Sequence, residues 1–379
     1  MPGMGSDLPM RRPWHVLVAT AALLVALLAL ARPAPAPSAG VRVAQAPDPT
    51  ATLTVRQLVG QRIVYGYPGA IPPGALEARI RAGEAAGVIV FTRNIPTRAA
   101  LAAAVRRLQA IPRPPALRAP LLVMIDQEGG LVKRLSGAPL RAPADLGRIG
   151  SSALARSEGV ATAGNLRSVG INVNLAPVVD VGRTGSYQQR TRRSYSPNAA
   201  TVSRLGGAFA DGLRAGNVAA TLKHFPGLGT VRLDEDALVQ PVGLSLAALR
   251  AVDEAPFGAG ARAGVPMVMT STARYAALSP RPALISPRIV LGELRGHLGF
   301  RGVTITDDLD VPALRRYGTP ERLGLLSAQA GNDLLLFASG TVTGTRALNA
   351  LSRDVGAGRL SLVATRAAVR RVLALRAGL

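Results

Sequence analysis

Three short stretches carry residue types that can do chemistry together. The first is Ile305-Thr306-Asp307-Asp308-Leu309. A carboxylate at the mouth of a buried strand can attack an electrophile such as an anomeric carbon. In a chain with no cysteine and no serine triad, a carboxylate of the pair Asp307 and Asp308 is the best covalent nucleophile on offer. An aspartate after a strand can equally cap the helix that follows; with two adjacent aspartates, one can cap while the other faces a pocket. The second stretch is Lys223-His224-Phe225-Pro226-Gly227-Leu228-Gly229. Lysine occurs only at 133 and 223, and the other 43 basic residues are arginine. Lys223 therefore stands out as a compact point charge that arginine cannot copy. Pro226 and the two glycines impose a turn into the loop Thr230–Ala237. There Asp234, Glu235 and Asp236 are candidate proton donors or, on the plainer reading, an ordinary acidic loop. The third stretch runs from Asp126-Gln127-Glu128-Gly129-Gly130 to Lys133-Arg134. Asp126 can accept two sugar hydroxyls, paired glycines let backbone approach a ligand, and Arg134 is a further substrate-binding candidate. A phosphate cradle would carry more glycines and fewer acids.

These stretches need a scaffold that collects strand ends. From residue 55 onward, short apolar runs alternate with stretches of helical period. Strands are expected near Ile63–Tyr65, Val88–Phe91, Leu121–Ile125, Ile171–Leu175, Ala219–Lys223, Pro266–Met269, Val303–Thr306 and Leu334–Leu336. Helices are expected at Arg98–Ala110, Ala155–Val169, Ala199–Ala215, Leu246–Ala263 and Pro320–Ala330. Continuous apolar strands alternating with helices mean a parallel sheet covered on both faces. Eight repeats give an α/β chain with a single (β/α)8 barrel over residues 55–379, whose site forms where the strands end. An open doubly wound sheet is the alternative, weakened by the lack of a glycine-rich fingerprint after the first strand.

The composition excludes more than it assigns. Without cysteine there are no disulfides and no thiolate metal sites. With only His15, His224 and His297, a multi-histidine metal centre is not expected, and the residues call for no cofactor. The net charge is +23, yet the arginines are scattered and aromatics make up 3% of the chain. No nucleic-acid partner is expected; an anionic cell-wall polymer or membrane surface fits better. Arg11 and Arg12 precede the apolar run Trp14–Ala31, and Pro33–Gly40 follows. Residues 1–40 read as a signal peptide or a signal anchor and 41–54 as a linker. The chain is expected to be exported, secreted or anchored outside the cytoplasmic membrane. Its oligomeric state is not legible.

Six motifs then add up to a resemblance. They are Ile125-Asp126-Gln127-Glu128-Gly129-Gly130, Asn174-Leu175-Ala176-Pro177-Val178-Val179-Asp180-Val181, Arg193-Ser194-Tyr195, Lys223-His224-Phe225-Pro226-Gly227, Leu298-Gly299-Phe300-Arg301-Gly302-Val303 and Ile305-Thr306-Asp307-Asp308-Leu309. In this order the chain resembles glycoside hydrolase family 3, and within it the single-domain bacterial β-N-acetylhexosaminidases. The resemblance implies a retaining mechanism with Asp307 as nucleophile. It implies sugar contacts from Lys223, His224, Asp126 and Arg193, with Asp180 supporting them from behind. It implies an aminosugar glycoside or muropeptide as substrate. The chain departs from the pattern at three histidines. The acid/base histidine of the flexible loop is Asp236, two residues after Asp234. The histidine usual after Pro-Gly is Leu228, and the one usual after the sixth strand is Thr272. Either Asp236 or Glu235 serves as acid and base, or the leaving group is not protonated. The leading expectation is an exported exo-β-N-acetylglucosaminidase-like hydrolase. The alternatives are a β-glycosidase of changed sugar preference and a non-catalytic cell-wall sugar binder.

Overall fold

The computed structural model describes residues 48–379; the expected leader, residues 1–40, lies outside them. Eight parallel strands form one sheet: β1 (Ile63–Tyr65), β2 (Gly87–Val90), β3 (Leu122–Ile125), β4 (Val173–Asn174), β5 (Ala219–Phe225), β6 (Met267–Thr270), β7 (Val303–Thr306) and β8 (Leu335–Phe337). Each pairs with its neighbours in chain order. The ring closes where Ile63 pairs with Leu335 and where Ile305 bridges to Leu334. A helix follows every strand, so the chain is a (β/α)8 barrel.

The strand pattern explains the layers. Successive side chains point to opposite faces, and both faces are covered. Val64, Ile89, Met124, Val173, Met267, Met269, Val303, Ile305 and Leu336 form one buried cluster within the ring. Ile63, Tyr65, Val88, Val90, Val123 and Leu222 pack with Leu101, Val105, Phe209 and Phe257 in the second. Strand β4 is short because asparagine side chains do part of its pairing. Asn172 accepts from the Val123 N–H and donates to the Leu121 carbonyl, and Asn174 does the same with Gln127. Buried amides of this kind survive only when satisfied.

The helices start on side-chain caps. Thr97, Ser151, Asn198, Thr319 and Ser361 each accept a first-turn N–H, satisfying donors that the helix leaves free. One expected helix is broken. Leu246–Ala263 divides into Leu246–Ala248, Leu249–Asp253 and Ala255–Arg262. Pro256 lies in the first turn of the last piece and lacks the N–H that continuity requires.

Under the barrel, the buried Arg376 of the helix Leu362–Ala377 donates to the carbonyls of Leu117, Ala119 and Pro120 and to Gln61. Of the expected linker, Asp48 and Thr50 are bonded to this helix. Arg370 lies 2.9 Å from Asp48, and Arg366 donates to the Thr50 carbonyl. Among the described residues, no helix is long and apolar enough to cross a membrane.

Candidate active site

The candidates meet in one pocket at the strand ends, lined by Asp126, Glu128, Arg134, Arg193, Lys223, His224, Asp234, Glu235, Asp236 and Asp307. Lys223 and His224 close strand β5, and both are buried. The Lys223 ammonium lies 2.7 Å from Asp126 and 2.7 Å from Glu128. Arg193 grips Glu128 with two bonds of 2.8 Å each. Burial alone would raise the Glu128 carboxyl, but the charges of Arg193 and Lys223 outweigh it and hold it well below the usual carboxylate range. Burial would likewise lower Lys223, and the charges of Asp126 and Glu128 raise it instead. The result is a dry, fixed array of two cations and two carboxylates, suited to hydrogen-bonding a polyol.

His224 is held from behind. Its Nδ1 lies 2.8 Å from Asp180, whose other oxygen accepts the backbone N–H groups of His224 and Leu228. Asp180 thereby acts as an acceptor, to which the Nδ1–H of the ring donates. Nε2 lies 3.9 Å from Glu235. Donor atoms of His224, Glu235 and Asp307 all lie within 4.8 Å of one another.

The adjacent aspartates after β7 divide the work between them. Asp308 accepts the backbone N–H groups of Asp310 and Ala338, each at 3.0 Å. Burial pushes its carboxyl up to about 7. Asp307 lines the pocket beside His224 and Glu235.

The acidic loop reaches the pocket, and its three carboxyls differ. Glu235 is buried and accepts from the Thr272 hydroxyl at 2.9 Å and the Thr272 N–H at 3.2 Å. Burial, with the charges of Asp307, Asp236 and Asp180, raises it well above its ordinary value. Asp236 stands at the open rim. Loss of water in the crowded mouth, with the charges of Asp307, Asp234 and Asp308, pushes it up to about 8. Asp234 secures the loop: one oxygen accepts the Asp236 N–H at 3.1 Å and the other the Tyr187 hydroxyl at 3.0 Å.

Arg134 lies with its guanidinium 5.9 Å from the centre of the Phe91 ring. Its buried Nε has no partner among the described residues, so a donor remains for a ligand. Lys133 turns to the carbonyls of Gly137 and Pro139 instead.

Sequence reasoning passed over Glu128, Tyr187 and the positive role of Thr272. The signal for Glu128 was present: it lies two residues from Asp126, on the same side of an extended chain. Tyr187 gave none. Thr272 read only as a missing histidine, whereas it is the partner of Glu235.

With this geometry in place, the chain can be set beside known proteins. Residues 62–375 match the profile of the glycosyl hydrolase family 3 N-terminal domain. The chain belongs to glycoside hydrolase family 3. It is 35% identical over 84% of its length to an uncharacterized secreted glycosyl hydrolase of Arthroderma benhamiae, covering 92% of that protein. It is similar to the crystal structure of a β-N-acetylhexosaminidase from Beutenbergia cavernae, with TM-score 0.80 and 32% identity, covering 86% of this chain and 98% of the other. It is also similar to a family 3 β-N-acetylglucosaminidase from Paenibacillus sp., with TM-score 0.78 and 33% identity over 86% of this chain. There it spans 63% of the Paenibacillus chain, less than two thirds of its length. This family 3 chain is a glycoside hydrolase of the β-N-acetylhexosaminidase-like kind.

Proposed function

We propose that this protein is an exported, retaining exo-β-N-acetylglucosaminidase acting on cell-wall-derived aminosugar glycosides. The observation that carries the reading is two carboxyls lining one pocket: Asp307 beside the sugar-binding array, and Asp236 at the rim, its carboxyl pushed up to about 8. One carboxyl to attack and a second to carry a proton are what a retaining glycosidase needs. Asp307 attacks the anomeric carbon while the glycosidic C–O bond breaks. Asp236 gives its proton to the departing oxygen. Water then attacks the same carbon, its proton passes to Asp236, and Asp307 is released. Two inversions leave the β configuration unchanged.

Asp236 suits the acid/base role better than Glu235. Glu235 is buried and one of its oxygens is occupied by Thr272. Asp236 faces the rim, where the aglycone leaves. Asp126, Lys223, His224 and Arg193 bind the sugar hydroxyls, and Arg134 offers its free Nε–H. Export rests on the leader-like residues 1–40, with 41–54 as linker and 55–379 as catalytic barrel; a similar protein is named as secreted. The net charge of +23 favours retention on an anionic cell-wall polymer or membrane surface.

The test is hydrolysis of an activated nitrophenyl N-acetyl-β-glucosaminide and of chitobiose, with a slow fluorinated donor to trap the intermediate. Turnover of both, a covalent sugar on the Asp307 peptide and loss of turnover in Asp307→Ala are expected. A sugar adduct on another residue would overturn the assignment. Absence of turnover with retained sugar binding would make the protein a binder.

A further inference from the structure

Outside the pocket, a second cluster has no part in this chemistry. Glu254 lies between the segments Leu249–Asp253 and Ala255–Arg262 that follow β5. Glu293 and His297 lie one turn apart on Arg288–His297, which follows β6. One donor atom from each of the three lies within 4.8 Å of the other two.

Glu254 is the unusual member. It is 0% exposed, and neither carboxylate oxygen has a hydrogen-bond partner among the described residues. A buried carboxyl with no partner is costly unless something supplies it. Its neighbour Asp253, by contrast, is fully used, with both oxygens 2.7 Å from Arg183. Glu293 is oriented by Arg250, which donates to its two oxygens at 2.8 and 3.0 Å; each oxygen keeps a second lone pair. His297 is exposed, which gives an ion a way in.

We propose that Glu254, Glu293 and His297 form a structural divalent-metal site, with zinc the ion its donors suit best. One imidazole nitrogen and two carboxylates match zinc at its usual coordination, with water on the exposed side as fourth ligand. Calcium and magnesium would want oxygen donors throughout. The ion would fasten the helices of two successive repeats, β5 and β6, to each other. It would also brace Asp253, whose Cβ packs against Gly227 at the turn leading into the acidic loop. It takes no part in bond breaking.

The test uses the full chain, stripped with chelator and titrated with zinc chloride, read by thermal unfolding, and with cobalt chloride, read by visible absorption. Zinc is expected to raise Tm by on the order of 5 °C at a hundredfold excess over its Kd. Cobalt is expected to give the visible bands of a low-coordinate site. Glu254→Gln and His297→Gln should each weaken binding at least tenfold, while Asp307→Asn leaves it unchanged. His297→Gln alters an exposed side chain, so its effect cannot be confused with misfolding. The proposal is overturned if the wild type shows no zinc-dependent shift, or if the shift survives both Glu254→Gln and His297→Gln. A shift lost in Asp307→Asn would place the ion in the catalytic pocket and would also overturn it.

Discussion

Asp236 concentrates the chemistry in a residue that ordinarily gives up its proton near 3.8 and here keeps it to about 8. As the acid, it must be protonated for the first step, so activity is expected to fall as pH rises through about 8. Asp236→Asn should remove that alkaline limb from the pH–rate profile. It should also cut turnover of chitobiose by roughly 10²–10⁴-fold, with a smaller loss for the nitrophenyl substrate, whose leaving group needs little help. Equal losses on both substrates would argue against the acid role. Much of this site was legible at the level of residue types. Asp307, Lys223, His224 and Asp126 stand at strand ends, where the local sequence leaves few other uses for them. The division between Glu235 and Asp236 was not legible. Adjacent acids on one loop look alike until Thr272, from another strand end, occupies one of them.

At the scale of elements, the loop that carries Asp236 is secured by several long-range contacts, among them Tyr187 to Asp234, Thr272 to Glu235 and the Ala313 N–H to the Asp236 carbonyl. The first rests on one hydroxyl alone. Tyr187→Phe should loosen it, lowering kcat about 3–10-fold, the net worth of one ordinary hydrogen bond, with KM little changed. Faster proteolysis between Gly229 and Gln240 would show the same loosening. The turn before the loop is tighter. A Cβ at Gly229 would lie 2.1 Å from the Val181 carbonyl oxygen, so Gly229→Ala should cost about 1–3 kcal/mol and lower Tm by several degrees. The strands were legible because they are continuous apolar runs. Val303–Thr306 was expected at the bounds it has, and β5 runs two residues further than its apolar pattern. Lys223 and His224 are buried there on carboxylates from other elements, and no local pattern can announce such pairing.

For the molecule as a whole, the raised carboxyls set how stability varies with pH. Asp236 and Asp308 bind protons up to about 8 and about 7 when folded, against 3.8 ordinarily. Between those values the folded chain holds more protons than the unfolded one, so stability falls as pH rises. Glu128 acts in the opposite sense, losing its contribution only as pH drops below the carboxylate range. Tm should therefore peak near about pH 5 and decline toward pH 8, and Asp308→Asn should flatten the decline. A Tm that climbs steadily to pH 8 would contradict this. The barrel's closure also has a consequence in time. Ile63 pairs with Leu335, most of the chain away. At 5–20 residues per second, synthesis leaves the edge of β1 without its second neighbour for roughly 15–50 s. An open strand edge of that duration is an invitation to a wrong partner. The ring that leaves the eight-stranded sheet without an edge must thus wait for the last of its strands.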